Sequence, residues 1–196
     1  MEAETLDVVR RELGLPELTV VLRHDWGSSE EGSRARIRRH LFENFDADES
    51  VLDLNLTPRL PRHALSISHH RKVGGFALAP APARIGFDLE LRARARGDLV
   101  RRVCVTDEEF RAAPDPCALW MAKEAAYKSL AGPSQPPGLS DLEIRAWEPL
   151  LPDVFRCEAV RRIPRASVAE RIRGVVLSGP DHGFALFSSE ESCAGV

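Results

Sequence analysis

From Ile85 to Leu91 the chain alternates strictly: Ile85, Phe87, Leu89 and Leu91 are apolar, and Gly86, Asp88 and Glu90 stand between them. A period of two is the signature of a β-strand, so one face is committed to a core. The other face displays both carboxylates, about 6.5 to 7 Å apart by strand rise. Two carboxylates on one strand face are most often a solvated surface, so the pair alone does not choose between surface and site.

Other stretches predict the elements around it. Strands are expected at Leu18–Leu22, Val51–Leu56, Leu65–His70 and Val73–Ala79, the last two joined as a hairpin by Arg71 and Lys72. After the turn Pro80–Ala83 and the acidic strand, more follow at Leu142–Trp147, Phe155–Val160, Arg171–Leu177 and Gly183–Ser188. Helical spacing appears at Leu6, Val9 and Leu13, with Gly14 and Pro16 as a stop. Ser28 and Glu31 have capping-box spacing ahead of a stripe of Ile37, Leu41 and Phe45. Thr106 and Glu109 repeat that pattern before a helix from Asp107 to Ala112, and a longer helix runs from Cys117 to Leu130. The segment Ala131–Gly138 holds three prolines and two glycines and reads as a loop. Gly75-Phe76-Ala77-Leu78 recurs as Gly183-Phe184-Ala185-Leu186, either a trace of duplication or a chance match in a chain rich in alanine and leucine. The fold class is α+β.

Composition limits the function classes. With 196 residues, 43% of them hydrophobic, the chain has enough apolar material for one compact domain or two small subdomains sharing a core. The 27 basic and 30 acidic side chains leave a net charge of -3, which argues against a generic nucleic-acid binder. No stretch approaches the roughly 20 apolar residues of a membrane helix, and Met1–Thr5 lacks the start of a signal peptide, so a cytoplasmic protein is expected. Cys104, Cys117, Cys157 and Cys193 form no CxxC pair and are expected to be reduced thiols.

In Trp120-Met121-Ala122-Lys123-Glu124-Ala125-Ala126-Tyr127-Lys128, Glu124 and Lys128 are neighbours on one helix face. By itself that is an ordinary surface ion pair, worth roughly a few tenths of a kcal/mol. Taken with Gly86-Phe87-Asp88-Leu89-Glu90, however, it resembles the paired signature of the 4'-phosphopantetheinyl transferases. Family members show a G-(V/I/F)-D-(L/I)-E strand and a W-x-x-K-E-(A/S)-x-x-K helix, and Ser68-His69 is similar to their upstream Ser-His pair. The likeness covers roughly Leu65 to Ile144.

The resemblance implies two similar α/β subdomains in a pseudo-two-fold arrangement, an N-terminal one over 1–83 and a C-terminal one over 84–196 carrying the motifs. The length suits the longer, single-chain type that resembles the surfactin-synthetase-associated enzyme, and hence a monomer. The implied reaction moves the phosphopantetheine arm of coenzyme A to a serine of an apo acyl or peptidyl carrier protein, releasing adenosine 3',5'-bisphosphate. Asp88, Glu90 and Glu124 match the metal-binding acids, for magnesium or alternatively manganese. Glu124 also matches the proposed general base, and Lys128 a phosphate contact that assists departure of the bisphosphate. Lys123 would add positive charge at the same site. Ser68 and His69 match coenzyme A contacts, and Arg59 could meet the 3'-phosphate.

Arg34, Arg36, Arg38 and Arg39 read as a solvated helix face or, with equal weight, as a functional one that contacts coenzyme A phosphates or docks an acidic carrier. The interval from Asp88 to Glu124 is shorter than in the longer family branch, and the N-terminal half lacks the first basic motif. The alternative function is a module that binds coenzyme A or docks carriers without turnover. No nucleic acid or membrane partner is implied.

Overall fold

The computed structural model describes residues 2–26, 30–70, 73–130, 135–161 and 170–189. Two antiparallel sheets organise the chain, confirming a mixed α+β fold. The first has the order β1 (Thr19–Arg23), β3 (Val73–Pro80), β2 (His63–His70). The second runs β4 (Arg84–Leu91), β8 (His182–Ser189), β7 (Glu170–Ser178), β6 (Val154–Arg161), β5 (Leu142–Leu151). Helices are α1 (Ala3–Leu13), α2 (Glu30–Asn44), α3 (Gly97–Arg102), α4 (Asp107–Ala112) and α5 (Pro116–Ser129).

Apolar faces stack these elements. Ile37 and Leu41 of α2 pack with Phe76 and Leu78 on one side of the first sheet. Val9 and Leu13 of α1 share a central core with Ala77 and Ala79 of the first sheet and Phe87, Leu89 and Leu186 of the second. On the far side of the second sheet, α5 buries Leu119, Met121, Ala122 and Ala125 against Ile144, Cys157 and Phe187. Gly14 ends α1 as expected, since its φ of 67° is one that residues with a side chain seldom adopt.

Each sheet contains an edge strand, then a helix, then a hairpin whose second strand returns beside the edge strand. β1, α2, β2 and β3 do this in one, and β4, α5, β7 and β8 in the other, with β5 and β6 added at the far edge. The repeated tetrapeptide falls at the same place in both. Gly75 lies opposite Leu22 and Ser68, and Gly183 opposite Glu90 and Ser178.

Between β2 and β4, the facing edges of the two sheets, serine hydroxyls make the link. Ser66 Oγ accepts from the Phe87 amide at 2.9 Å, and Ser68 Oγ from the Leu89 amide at 3.2 Å. Two serines at a spacing of two thus replace a backbone ladder and hold the sheets together.

The predicted strand at Val51–Leu56 is a correction. Asp48 caps a short 3-10 helix, Glu49–Leu52, by accepting from the Ser50 amide at 2.8 Å, and an irregular loop follows. Its carbonyls are taken by an arginine rather than by a neighbouring strand. Arg38 donates to Val51 O at 3.1 Å, Asp53 O at 2.5 Å and Leu56 O at 2.6 Å. The short helix α3 was not foreseen. The Arg71-Lys72 turn, the Ser28/Glu31 box and Cys193 lie outside the described residues, as does the first half of the Ala131–Gly138 loop. Cys104, Cys117 and Cys157 are free thiols, and burial pushes Cys117 up to about 12. Among the described residues no helix is long and apolar enough to cross a membrane.

Candidate functional site

The site is built where α5 crosses β4. Asp115 starts α5 by accepting from the Ala118 amide at 3.0 Å, and Pro116 occupies the first turn, where its missing N–H costs nothing. Ala118, Ala122, Ala125 and Ala126 are all fully buried, so the helix can approach the sheet closely. The approach is closest at Gly86, where a Cβ would lie 1.8 Å from the Ala125 carbonyl oxygen and 2.5 Å from the Ser129 nitrogen. The glycine of the Gly-Phe-Asp-Leu-Glu motif therefore makes room for the helix that carries the second motif.

That contact sets the acidic face of β4 under α5 instead of in water. Asp88 is buried and accepts from Lys128 Nζ at 2.6 Å and Ser68 Oγ at 2.9 Å. Lys128 also donates to Phe87 O at 3.3 Å. Lys128 thus spans from its helix to the strand. Glu90 accepts from the Leu91 amide at 2.9 Å, and its carboxylate lies 3.8 Å from His70 Nε2 and 3.9 Å from Arg94.

Burial raises the Glu90 carboxyl above its ordinary value, opposed by the Leu91 amide and Arg94 and reinforced by Asp88. Glu124 is raised likewise, by burial first and then by Asp88, with Lys128 opposing. Burial is the larger cause at both carboxyls, with the neighbouring Asp88 charge adding to it and Lys128 opposing.

Two adjoining cavities open on these groups. The smaller, about 300 Å³, is lined by Asp88, Glu90, Glu124, Lys128, Ser68 and His69 among others. The larger, about 580 Å³, shares His69, Glu124 and Lys128 and extends to Arg34, Arg38 and Tyr127 and the loop at Leu54–Pro58. A volume of this order suits a cofactor-sized ligand. Arg34 Nε lies 3.3 Å from His69 Nε2 at the shared wall.

Of the residues singled out from sequence, Asp88, Glu90, Glu124, Lys128, Ser68 and His69 are brought together. Ser68 is buried between Asp88 and the Leu89 amide, so its hydroxyl is committed to joining the sheets. Arg59 is exposed and is not among the described residues lining either cavity. Lys123 is a correction: it points away from both cavities, fully buried, and pairs with Glu109 at 2.7 Å. The arginine helix divides. Arg38 is buried as a strut for the 51–56 loop, while Arg34 lines the larger cavity.

Sequence reasoning assigned no role to Trp120, His70 or Arg94, which line the acidic cavity. For Trp120 the signal was its place in the helical motif. His70 and Arg94 carried none, because only the fold brings them to Glu90.

Three carboxylates, Asp88, Glu90 and Glu124, line one cavity and offer hard oxygen donors, the chemistry that suits magnesium. Among the described residues no three His, Cys, Asp or Glu side chains form a ready-made metal cage. Asp88 is engaged by Lys128, and Glu90 is turned to its own following amide. No family model matches the chain, and no curated protein matches it.

Proposed function

We propose that the protein transfers the 4'-phosphopantetheine arm of coenzyme A to a serine of an apo acyl or peptidyl carrier protein, releasing adenosine 3',5'-bisphosphate. One observation carries this reading. Asp88, Glu90, Glu124 and Lys128, from the two motifs, line one cavity that continues into a second large enough for a nucleotide and walled by Arg34. Support for two similar subdomains, 1–83 and 84–196, of the 4'-phosphopantetheinyl transferase fold comes from the shared strand order and the register of the repeated tetrapeptide. The enzyme would act as a cytoplasmic monomer.

In this reading Glu124 accepts the serine proton, a task helped by burial, which raises its carboxyl above the ordinary value. The serine oxygen bonds to the β-phosphorus of coenzyme A as the bond from that phosphorus to the bridging oxygen breaks. Lys128 donates to the departing phosphate oxygens and stabilises the charge that develops there. His69 and Arg34, at the junction of the cavities, donate to phosphates of the bound nucleotide. Magnesium or manganese held by Asp88, Glu90 and Glu124 would supply Lewis-acid neutralisation of the pyrophosphate. For that, Lys128 must yield Asp88 and swing toward the phosphates, a motion its flexible four-carbon stem permits.

Calorimetric titration with coenzyme A in magnesium, followed by chromatography of the nucleotide released on adding apo carrier, tests the proposal. Binding followed by bisphosphate release is expected. Binding without release would instead favour a module that holds coenzyme A or docks carriers without turnover, and neither would refute both.

A further inference from the structure

Beside Glu124 in sequence, but on another face of α5, Lys123 forms the centre of a buried polar knot. Its ammonium meets Glu109 Oε1 at 2.7 Å and donates to Leu139 O at 3.3 Å and Leu142 O at 2.5 Å, which uses all three of its protons. Glu109 accepts in addition from the Ile144 amide at 2.7 Å and the Val105 amide at 2.6 Å. Both side chains are fully buried. Burial lowers Lys123 from its ordinary value, and Glu109 opposes that shift. Thr106 caps α4 through the Glu109 amide at 3.1 Å, but the Glu109 carboxylate, expected to complete a capping box, turns inward to this knot.

A buried ion pair is weak evidence for stability, because apolar residues of similar volume often do as well. What it supplies is direction. Three bonds tie the Lys123 ammonium of α5 to Glu109, Leu139 and Leu142, and the Val105 and Ile144 amides hold the Glu109 carboxylate in turn, so the knot as a whole restrains rotation of α5. Gly86 and the buried alanines set how closely α5 approaches β4, and Leu119 and Met121 key the helix into the second sheet; the Lys123–Glu109 knot adds directional bonds to that packing. Consecutive helix residues point about 100° apart, so anchoring Lys123 fixes where Glu124 points.

We infer that the Lys123–Glu109 pair is a positioning device for catalysis: it fixes the rotational setting of α5 so that Glu124 and Lys128 face the acidic strand. The inference rests on the transfer reading for its catalytic consequence, though its geometric part stands apart from it. Lys123 is thus a positioning residue and not a phosphate contact.

The test compares wild type with the double variant Glu109→Leu/Lys123→Met, which removes both charges at similar bulk, and with Lys123→Met alone. Near-UV circular dichroism establishes that the double variant retains a packed core. Steady-state kinetics with apo carrier should then show kcat lowered about tenfold or more and the KM for coenzyme A changed by a smaller factor, because the reacting groups all move while α5 supplies only one wall of the nucleotide cavity, opposite Arg34, Arg38 and the 54–58 loop. Hydrogen exchange, measured without coenzyme A or carrier, should speed about tenfold at amides of 117–130 and remain unchanged in β2 and β3. Lys123→Met, which strands a buried carboxylate, should be the least stable of the three proteins.

A double variant with wild-type kcat, or with wild-type exchange over 117–130, would overturn the inference. If wild type transfers nothing, the transfer reading fails, and the exchange comparison alone decides the geometric claim.

Discussion

Alanine at position 86 would separate the two motifs physically. An ideal Cβ there lies 1.8 Å from the Ala125 carbonyl oxygen and 2.5 Å from the Ser129 amide nitrogen. Both atoms are helix backbone, so no side-chain rotation relieves the clash. Ordinary contact requires α5 to retreat from β4 by roughly 1.5 Å. Overpacking of this kind costs about 2–3 kcal/mol, and for a chain of this size each kcal/mol lowers Tm by about 2–4 °C. The Gly86→Ala variant is therefore expected to melt about 4–12 °C below wild type.

The same retreat would carry Lys128 away from Asp88, to which it is bonded at 2.6 Å, and displace Glu124 from the acidic strand. A misplacement near 1 Å at reacting groups costs about 100-fold in turnover. Thermal unfolding by circular dichroism, with the transfer assay on folded protein, measures both effects. A Gly86→Ala protein melting within about 1 °C of wild type would refute the close-approach argument.

Glu124→Gln should lower turnover by about 10²- to 10⁴-fold while the protein stays folded; turnover within a few-fold of wild type would remove the base and ligand assignments. The same change should raise stability near neutral pH. A carboxyl raised in the folded state makes wild type lose stability as pH rises from the ordinary carboxyl value through the raised one, so the gain should vanish in acid. Urea titrations at several pH values measure it, and a gain independent of pH would contradict the burial of Glu124. Lys128→Ala leaves the buried Asp88 without its cation, so it should lower Tm, and magnesium should then raise Tm more than it does in wild type. Equal magnesium shifts would count against Asp88 as a ligand. Arg38→Leu frees the carbonyls of Val51, Asp53 and Leu56 and should cost about 2–3 kcal/mol while weakening coenzyme A binding; unchanged calorimetric affinity would show that the loop does not shape the nucleotide cavity.

Much of the fold is legible because local pattern and final environment agree. The alternation at Ile85–Leu91 becomes β4, Thr106 caps α4, and Gly14 closes α1. Val51–Leu56 alternates equally well, yet Arg38, thirteen to eighteen residues away, takes the carbonyls that a strand would have paired. Period alone does not reveal such a competitor.

The site divides along the same line. Asp88, Glu90, Glu124 and Lys128 were legible because two motifs place them on one strand face and one helix face, and Gly86 lets those faces meet. Lys123 was misread because its neighbour in sequence faces the cavity, whereas its own direction depends on Glu109 and on two carbonyls beyond the loop. Arg59 was assigned by position along the chain, and the fold leaves it exposed outside the cavity lining.

The central claim is transfer of a phosphopantetheine arm, and intact-mass spectrometry of apo carrier proteins incubated with the protein, coenzyme A and magnesium tests it most directly. The account predicts that at least one carrier from a panel spanning fatty-acid, polyketide, nonribosomal-peptide and lysine pathways gains the mass of one phosphopantetheine, with no gain when Glu124→Gln replaces wild type. Unchanged mass across the whole panel, with folded protein and magnesium present, would contradict it.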